Sequence, residues 1–313
     1  MHPAKSVIFF TTLSGAGYGL LFASILGYLH NFYQSSLTQM FITLGLAFVM
    51  VTAGLLSSTF HLGHPERAWR AMSQWRTSWL SREGLSALIT FVPWTIFTAT
   101  LIFDGLVTKQ TQHVIGAITI VLSMVTVFTT SMIYRSLKAI HAWYNVYVSP
   151  LYIAFSLATG LTILNLILFL STGPSEKINN LALVTLIAAL LLKRGYWRFL
   201  AKTPNRSTME SATGLGHLGK VRALEHPHSE TNYLLKEMGF QVARKHSAKL
   251  RNIFSLAWIV AIICTGLTLV FSGALMSLLA FVATIAMAVG IAVERWLFFA
   301  EAKHSQALYY GQN

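Results

Sequence analysis

Long apolar stretches alternate with shorter polar segments along the whole chain. A helix needs about 20 residues to cross the hydrocarbon core of a bilayer, and eight stretches come close to this length. They cover residues 7–29, 40–60, 85–106, 113–134, 148–171, 179–197, 253–274 and 276–299. Their residues are continuously apolar rather than alternating, which excludes a membrane β-barrel. The pattern predicts an all-α integral membrane protein, an eight-transmembrane-helix bundle with a long basic loop between helices 6 and 7.

Composition supports a membrane protein without a separate soluble domain. Hydrophobic residues make up 54% of the chain and charged residues 11%, whereas soluble domains carry about 25% charged residues. We therefore expect a single polytopic membrane domain over 1–313, within which 198–252 is an extramembrane basic loop.

The basic residues are distributed very unequally across the predicted membrane. Eight spans place both termini and segments 61–84, 135–147 and 198–252 on one side, which we call the basic side. Of the 23 lysines and arginines, only Lys109 and Lys177 fall on the other side. Cytoplasmic loops carry such an excess, so the sequence predicts a bacterial inner-membrane protein with both termini in the cytoplasm. The net charge of +13 then reflects topology, and the expected partner is the lipid bilayer rather than nucleic acid.

Metal-ligating residues are scarce. Cys264 is the single cysteine, and one cysteine cannot ligate an iron–sulfur cluster or a four-ligand zinc site by itself. No histidine falls in the middle of a span, and His61 and His141 are the only conceivable pair of haem ligands. We therefore expect no haem, iron–sulfur cluster or other metal in this chain.

Two polar segments have helical spacing of apolar residues. In 61–84, Trp69, Met72, Trp75 and Trp79 are spaced as on one helix face, and Pro65 suits a first helical position, so a short interfacial helix is expected. The second half of the long loop, residues 231–251, is either a helix lying on the membrane or a docking surface for a partner protein.

Small residues recur every fourth position in the first span. Gly15, Gly19, Ala23 and Gly27 form a stripe that predicts close approach of a neighbouring helix.

Several ionisable residues fall where spans meet the basic side. His61 and His64 end the second span, Glu83 begins the third, and Glu294 lies near the end of the eighth. Each has an ordinary structural interpretation as a helix-terminal or interfacial residue. The functional interpretation is a pocket that binds a quinone, because a histidine can hydrogen-bond the ring oxygen and a carboxylate can carry protons to water. Glu294 and Arg295 are neighbours in sequence, so we expect them not to face each other.

Two segments around this group, and a third near the C terminus, resemble a known family. His61-Leu62-Gly63-His64-Pro65-Glu66-Arg67-Ala68 resembles the HLG-x-P-x-RA segment of the DmsC family, and Leu80-Ser81-Arg82-Glu83 resembles the LS-x-E segment that follows it. Glu294-Arg295-Trp296-Leu297-Phe298-Phe299 resembles that family's GR-x-x-FY ending, with Glu294 in place of glycine. DmsC proteins are the membrane-anchor subunits of dimethyl sulfoxide reductase-type molybdoenzymes.

The resemblance implies a non-catalytic subunit that exchanges electrons with menaquinone or ubiquinone in anaerobic respiration and has no haem. Its implied partners are a molybdopterin catalytic subunit and an iron–sulfur subunit with four clusters. Implied site residues are His61, which binds the quinone, and Glu83, which transfers protons. His64, Arg67 and Glu294 are weaker candidates, and Arg67 is given a structural or docking role.

Orientation separates this chain from the dimethyl sulfoxide reductases, whose catalytic subunits face the periplasm. Its predicted quinone site lies on the basic, cytoplasmic side, which resembles the cytoplasm-facing sulfite dehydrogenase anchors that reduce quinone. Two further alternatives stay open from the residues alone: an eight-helix transporter, and a passive anchor without a quinone site.

Overall fold

The computed structural model describes residues 4–60, 64–103, 105–203, 207–222, 224–225, 246–305 and 308. Within these residues, eight helices are long and apolar enough to cross a membrane, as the sequence predicts. They are α1 (Lys5–Leu29), α2 (Leu37–Thr59), α3 (Trp79–Ile102), α4 (Lys109–Arg135), α5 (Val148–Leu170), α6 (Glu176–Lys202), α7 (Ser247–Leu267) and α8 (Ala274–Ala300).

Hydroxyl side chains set the starts of four of these helices. Ser36, Ser78, Thr108 and Ser175 precede α2, α3, α4 and α6, and each accepts a hydrogen bond from a backbone N–H in the first turn. Such caps satisfy donors that a helix cannot pair internally. For α3, the cap at Ser78 places Glu83 near the membrane surface, just over one turn into the helix.

Helix α1 lies at the centre of one half of the bundle. It packs against α2, α4, α5 and α8, and its core positions Leu20, Leu21 and Ile25 are fully buried. A second core forms between α5, α6, α7 and α8 around Phe254 and Trp258. Helix α5 contributes to both cores and therefore joins the two halves.

The small-residue stripe of α1 makes the predicted close contact, and its partner is α5. A Cβ added at Gly19 would overlap the backbone of Ser156, and one added at Gly160 would overlap the backbone of Gly19. The Ser156 hydroxyl donates a hydrogen bond of 2.6 Å to the Gly15 carbonyl. Only residues without a side chain let the two backbones meet this closely.

The segment between α2 and α3 contains the expected short helix, with 3-10 geometry over Pro65–Gln74. Trp79 belongs instead to the first turn of α3. The 3-10 helix is attached to α3: the Ser81 hydroxyl donates to the Ala71 carbonyl, and Arg82 donates to the carbonyls of Trp75 and Arg76. It thus forms a short cover over the basic-side end of α3.

Helix α6 continues beyond the predicted span 179–197 and through Lys202, so residues 198–202 of the predicted extramembrane loop are helical. A short helix follows at Met209–Thr213. The predicted amphipathic helix over 231–251 falls largely outside the described residues, and its described end, from Ser247, belongs to α7.

Candidate functional site

A large apolar cavity opens at the basic-side end of the bundle. Its volume is about 710 Å³, and its wall combines parts of α1, α2, α3 and α4 with Trp69 and Met72 of the 3-10 helix. Trp143 and Phe299 close it on the side of α8. Binding sites for small molecules commonly enclose about 300–1,000 Å³ and are mainly apolar, so the cavity has the size and chemistry of a ligand site.

Glu83 supplies a carboxyl group in the wall of this cavity. Its side chain is buried, with 5% of its surface exposed. Among the described residues, Oε1 has no hydrogen-bond partner, and the Thr130 hydroxyl of α4 lies beside the carboxyl group. A buried polar atom without a partner is unfavourable. Glu83 therefore presents an atom that a ligand could satisfy with a hydrogen bond or a proton.

The other predicted site residues are arranged differently. His61 lies outside the described residues. His64 and Arg67 are exposed, and both face the carboxylate of Glu66, with distances of 3.0 Å from His64 Nδ1 and 3.7 Å from Arg67 Nε to Oε1. In the part of the chain that the structure describes, neither residue lines the cavity, and Glu294 does not line it either.

Glu294 belongs instead to a buried ion cluster between α6 and α8. Its Oε1 lies 2.5 Å from Nζ of Lys193, and its Oε2 lies 2.7 Å from Nε of Arg295. All three side chains are at most 3% exposed. The expectation that Glu294 and Arg295 cannot face each other is therefore wrong.

The reason lies in the length of the arginine side chain and in its surroundings. The guanidinium of Arg295 is stacked on the ring of Tyr152, with Cζ 4.2 Å from the ring centroid. Burial leaves the two charged groups no water to face, so the side chains converge although the backbone positions are adjacent.

Sequence reasoning missed Lys193 as a partner of Glu294, because a lysine close to the end of a span is readily grouped with the basic loop that follows. The available signal was a lysine inside the apolar span 179–197 and a glutamate at a similar depth in span 8. Isolated charges at membrane depth are rare unless they are paired. Tyr134 and Trp143, which line the cavity, were also missed, since aromatic residues near an interface have no distinguishing spacing.

The described residues contain no cluster of three or more histidine, cysteine, aspartate or glutamate side chains that could hold a metal ion. Of the two histidines that could be considered as haem ligands, His61 lies outside the described residues, and the ring of His141 stacks on Phe199.

Eight membrane-crossing helices with a carboxyl-bearing apolar cavity at one face define a polytopic membrane protein with a candidate site at the interface. Residues 1–311 match the model of a family described as DMSO reductase anchor subunit (DmsC). The chain belongs to the DmsC family: it is a membrane anchor of a molybdoenzyme and associates with a catalytic molybdoenzyme subunit.

One curated relative matches along the whole chain. The sequence is 30% identical to a sulfite dehydrogenase subunit of Allochromatium vinosum over 334 aligned residues, which cover 99% of each protein. No solved structure matches the chain.

Proposed function

We propose that this chain is the quinone-reactive anchor of a molybdopterin oxidoreductase complex and exchanges electrons between the quinone pool and an iron–sulfur subunit. The observation that carries this proposal is the buried, unpaired Oε1 of Glu83 in the wall of the apolar cavity. Family membership favours an anchor over the transporter considered from the sequence, and this cavity favours a quinone-reactive anchor over a passive one.

The residues of the cavity fit a quinone. An apolar wall suits the ring and its isoprenoid tail, and Glu83 offers one polar atom. Trp69 and Met72 of the 3-10 helix add apolar surface to the wall on the basic side. A bound quinone would supply the two-electron, two-proton chemistry. Glu83 would hold or release a proton at Oε1, and His61 would hydrogen-bond the ring oxygen, as the family motif implies.

The electron partner must lie outside this chain. With Cys264 as its single cysteine, the chain does not provide the thiolate ligands of an iron–sulfur cluster. We propose that an iron–sulfur subunit docks on the basic side, close to the cavity, and passes electrons to or from the molybdopterin subunit.

Filling the cavity should weaken quinone binding. Gly84 lines the cavity, and a Cβ added there would contact only Met72, at 3.8 Å. Leucine is also a better helix former than glycine, so we expect Gly84→Leu to fold and to raise the dissociation constant of a quinone analogue at least about tenfold, which corresponds to a loss of about 1.4 kcal/mol.

The measurement is an analogue titration of the purified complex by fluorescence quenching. Gly45→Leu is the matched control, because no atom lies within 4 Å of a Cβ added at Gly45. Unchanged affinity in Gly84→Leu would place the quinone elsewhere.

The sulfite dehydrogenase relative favours a more specific version of the proposal. In that version the complex oxidises sulfite on the cytoplasmic side of the bacterial inner membrane and the anchor reduces quinone. The distribution of lysine and arginine supports this orientation. The dimethyl sulfoxide reductase type, oxidising menaquinol, is the alternative for the same fold.

Orientation is directly testable with a reporter fused after Asn313. We expect a cytoplasm-dependent reporter to be active there and a periplasm-dependent one to be inactive. As a control, both reporters are fused after Lys177, where the opposite result is expected. Periplasmic activity after Asn313 would overturn the assignment of the basic side to the cytoplasm.

A further inference from the structure

A second, much smaller cavity lies deeper in the bundle, where α1, α4, α5 and α8 meet. Its volume is about 20 Å³, and about 10–15 Å³ is enough for one water molecule. Polar residues of all four helices contribute to its wall, among them Tyr18, Thr130, Tyr152 and Arg295. The size and lining are those of a buried water site.

Three polar atoms at this cavity need a partner. Among the described residues, the hydroxyls of Tyr18 and Tyr152 and Nη1 of Arg295 make no hydrogen bond of regular geometry, although the Tyr152 hydroxyl lies beside the Arg295 guanidinium and the Tyr18 hydroxyl lies beside Thr126. All three side chains are at least nine-tenths buried. Buried polar groups without protein partners usually bind an ordered water, and one water could bridge two or all three of these atoms.

This cavity shares wall residues with the surroundings of Glu83 and Glu294, which are the two buried acidic groups in the described part of the chain. On one side, Thr130 lines it and lies beside the carboxyl group of Glu83. On the other side, Tyr152 lines it and interacts electrostatically with Glu294. Arg295 also lines the cavity, and its Nε lies 2.7 Å from Glu294 Oε2, so the cavity shares Thr130 with the surroundings of Glu83 and Arg295 with the ion cluster.

We propose that the small cavity holds one ordered water, and that this water is part of a proton relay between Glu83 and Glu294. The hydroxyl groups of the relay are those of Thr130 and Tyr152. This inference rests on the proposed function, since Glu83 exchanges its proton with the quinone site.

Protons balance along this path. The Thr130 hydroxyl donates to the Thr126 carbonyl at 2.9 Å, and it turns from that bond when a proton leaving Glu83 enters the chain there. Each hydroxyl and the water then accept one proton and pass on another.

Tyr152 passes a proton to the Glu294 carboxylate, Glu294 passes one to Lys193, and Lys193 releases one toward Glu301, so the cluster keeps its charge. The reverse sequence serves proton uptake. Arg295 is a positioning residue that holds the water and fixes the Glu294 carboxylate.

The ion cluster continues toward the basic side of the membrane. Glu301 is the C-cap of α8, about two turns beyond Glu294, and it interacts electrostatically with Lys193. Its Oε1 lies 3.0 Å from Nε of Arg251, whose side chain is 38% exposed. The side chain of Glu301 is itself 13% exposed, and on this path it is the group that exchanges protons with water.

Tyr152→Phe tests the relay, because it removes one hydroxyl and keeps the aromatic ring under Arg295. We expect quinone-coupled turnover of the complex to fall at least about tenfold, with a larger ratio of rates in H₂O and D₂O. Affinity for the quinone analogue should stay within about twofold of wild type, because the large cavity is unchanged. Tyr28→Phe, whose hydroxyl donates to Gln112 at the opposite end of the bundle, is the control and should behave as wild type.

A second measurement does not depend on turnover. A high-resolution map of the wild-type complex should show one water within hydrogen-bonding distance of Tyr152 and Arg295. Absence of that density would overturn the relay. Wild-type turnover in Tyr152→Phe, with intact analogue binding, would also overturn the relay. That result would leave the proposed function standing and would favour proton exit through the mouth of the large cavity. Failure of the wild-type complex to bind the analogue would contradict the proposed function itself.

Discussion

Replacing Glu83 by glutamine is expected to lower quinone-coupled turnover of the complex by about 100-fold or more. Glutamine keeps the size and hydrogen-bonding capacity of the side chain but cannot carry a proton. The buried carboxyl is also the one acidic group that the described part of the cavity wall contains. The assay follows quinone reduction or quinol oxidation by the purified complex, with electron transfer between the substrate and an artificial dye as the internal reference.

The dye-linked rate should be unchanged, because it does not use the anchor, and the subunits should still copurify. Glu176→Gln is the matched control, since Glu176 is an exposed carboxylate in the first turn of α6. His61→Ala should reduce turnover in the same assay by weakening quinone binding. Near-normal turnover with quinone in both Glu83→Gln and His61→Ala would refute the assignment of the site.

Replacing Glu294 by alanine is expected to destabilise the protein by about 3–5 kcal/mol. The change leaves Lys193 and Arg295 as buried cations without their carboxylate, whose distances to Lys193 Nζ and Arg295 Nε are 2.5 and 2.7 Å. Removing one member of a buried ion pair is far more damaging than replacing the whole pair. Thermal or denaturant unfolding in detergent measures the effect.

Glu301→Ala provides the comparison at the end of the same helix. The side chains of Arg251 and Glu301 are 38% and 13% exposed, so this pair is more open to solvent than the Glu294 cluster, and Arg251 can be hydrated when its partner is removed. We therefore expect Glu301→Ala to lower the stability clearly less than Glu294→Ala does. Equal stability of Glu294→Ala and wild type would mean that the two cations find other partners, and that the cluster does not hold α6 against α8.

The predicted spans and the observed helices agree for a local reason. The thickness of the hydrocarbon core sets the length of each apolar stretch, so every span could be read without knowledge of its neighbours. The end of α6 could not be read in this way, because the predicted span stops at residue 197 and the helix continues to Lys202. The close contact of α1 was predictable from its glycines, but the identity of its partner, α5, was not. Small residues show that another helix can approach closely, and they do not show which helix it is.

The candidate site was also predicted only in part. Glu83 was predicted from its position at the start of a span and from the family motif, and the structure places it in a cavity wall. Glu294 was predicted for the same pocket, but it lies in a separate cluster with Lys193. Both glutamates lie near the basic side. The sequence indicates this depth in the membrane, but it does not indicate which side chains surround each glutamate.

The class of the protein, the number of its spans, the unequal distribution of positive charge and the motifs of the DmsC family could all be read from the order of residues along one helix or one loop. Which polar side chains meet is visible only in the folded bundle: Glu83 lies beside Thr130 at the large cavity, and Lys193 pairs with Glu294 between α6 and α8. The physical reason is that such contacts depend on the rotation of each helix about its axis and on where helices cross. Packing of the whole bundle sets both quantities, and no single span encodes them.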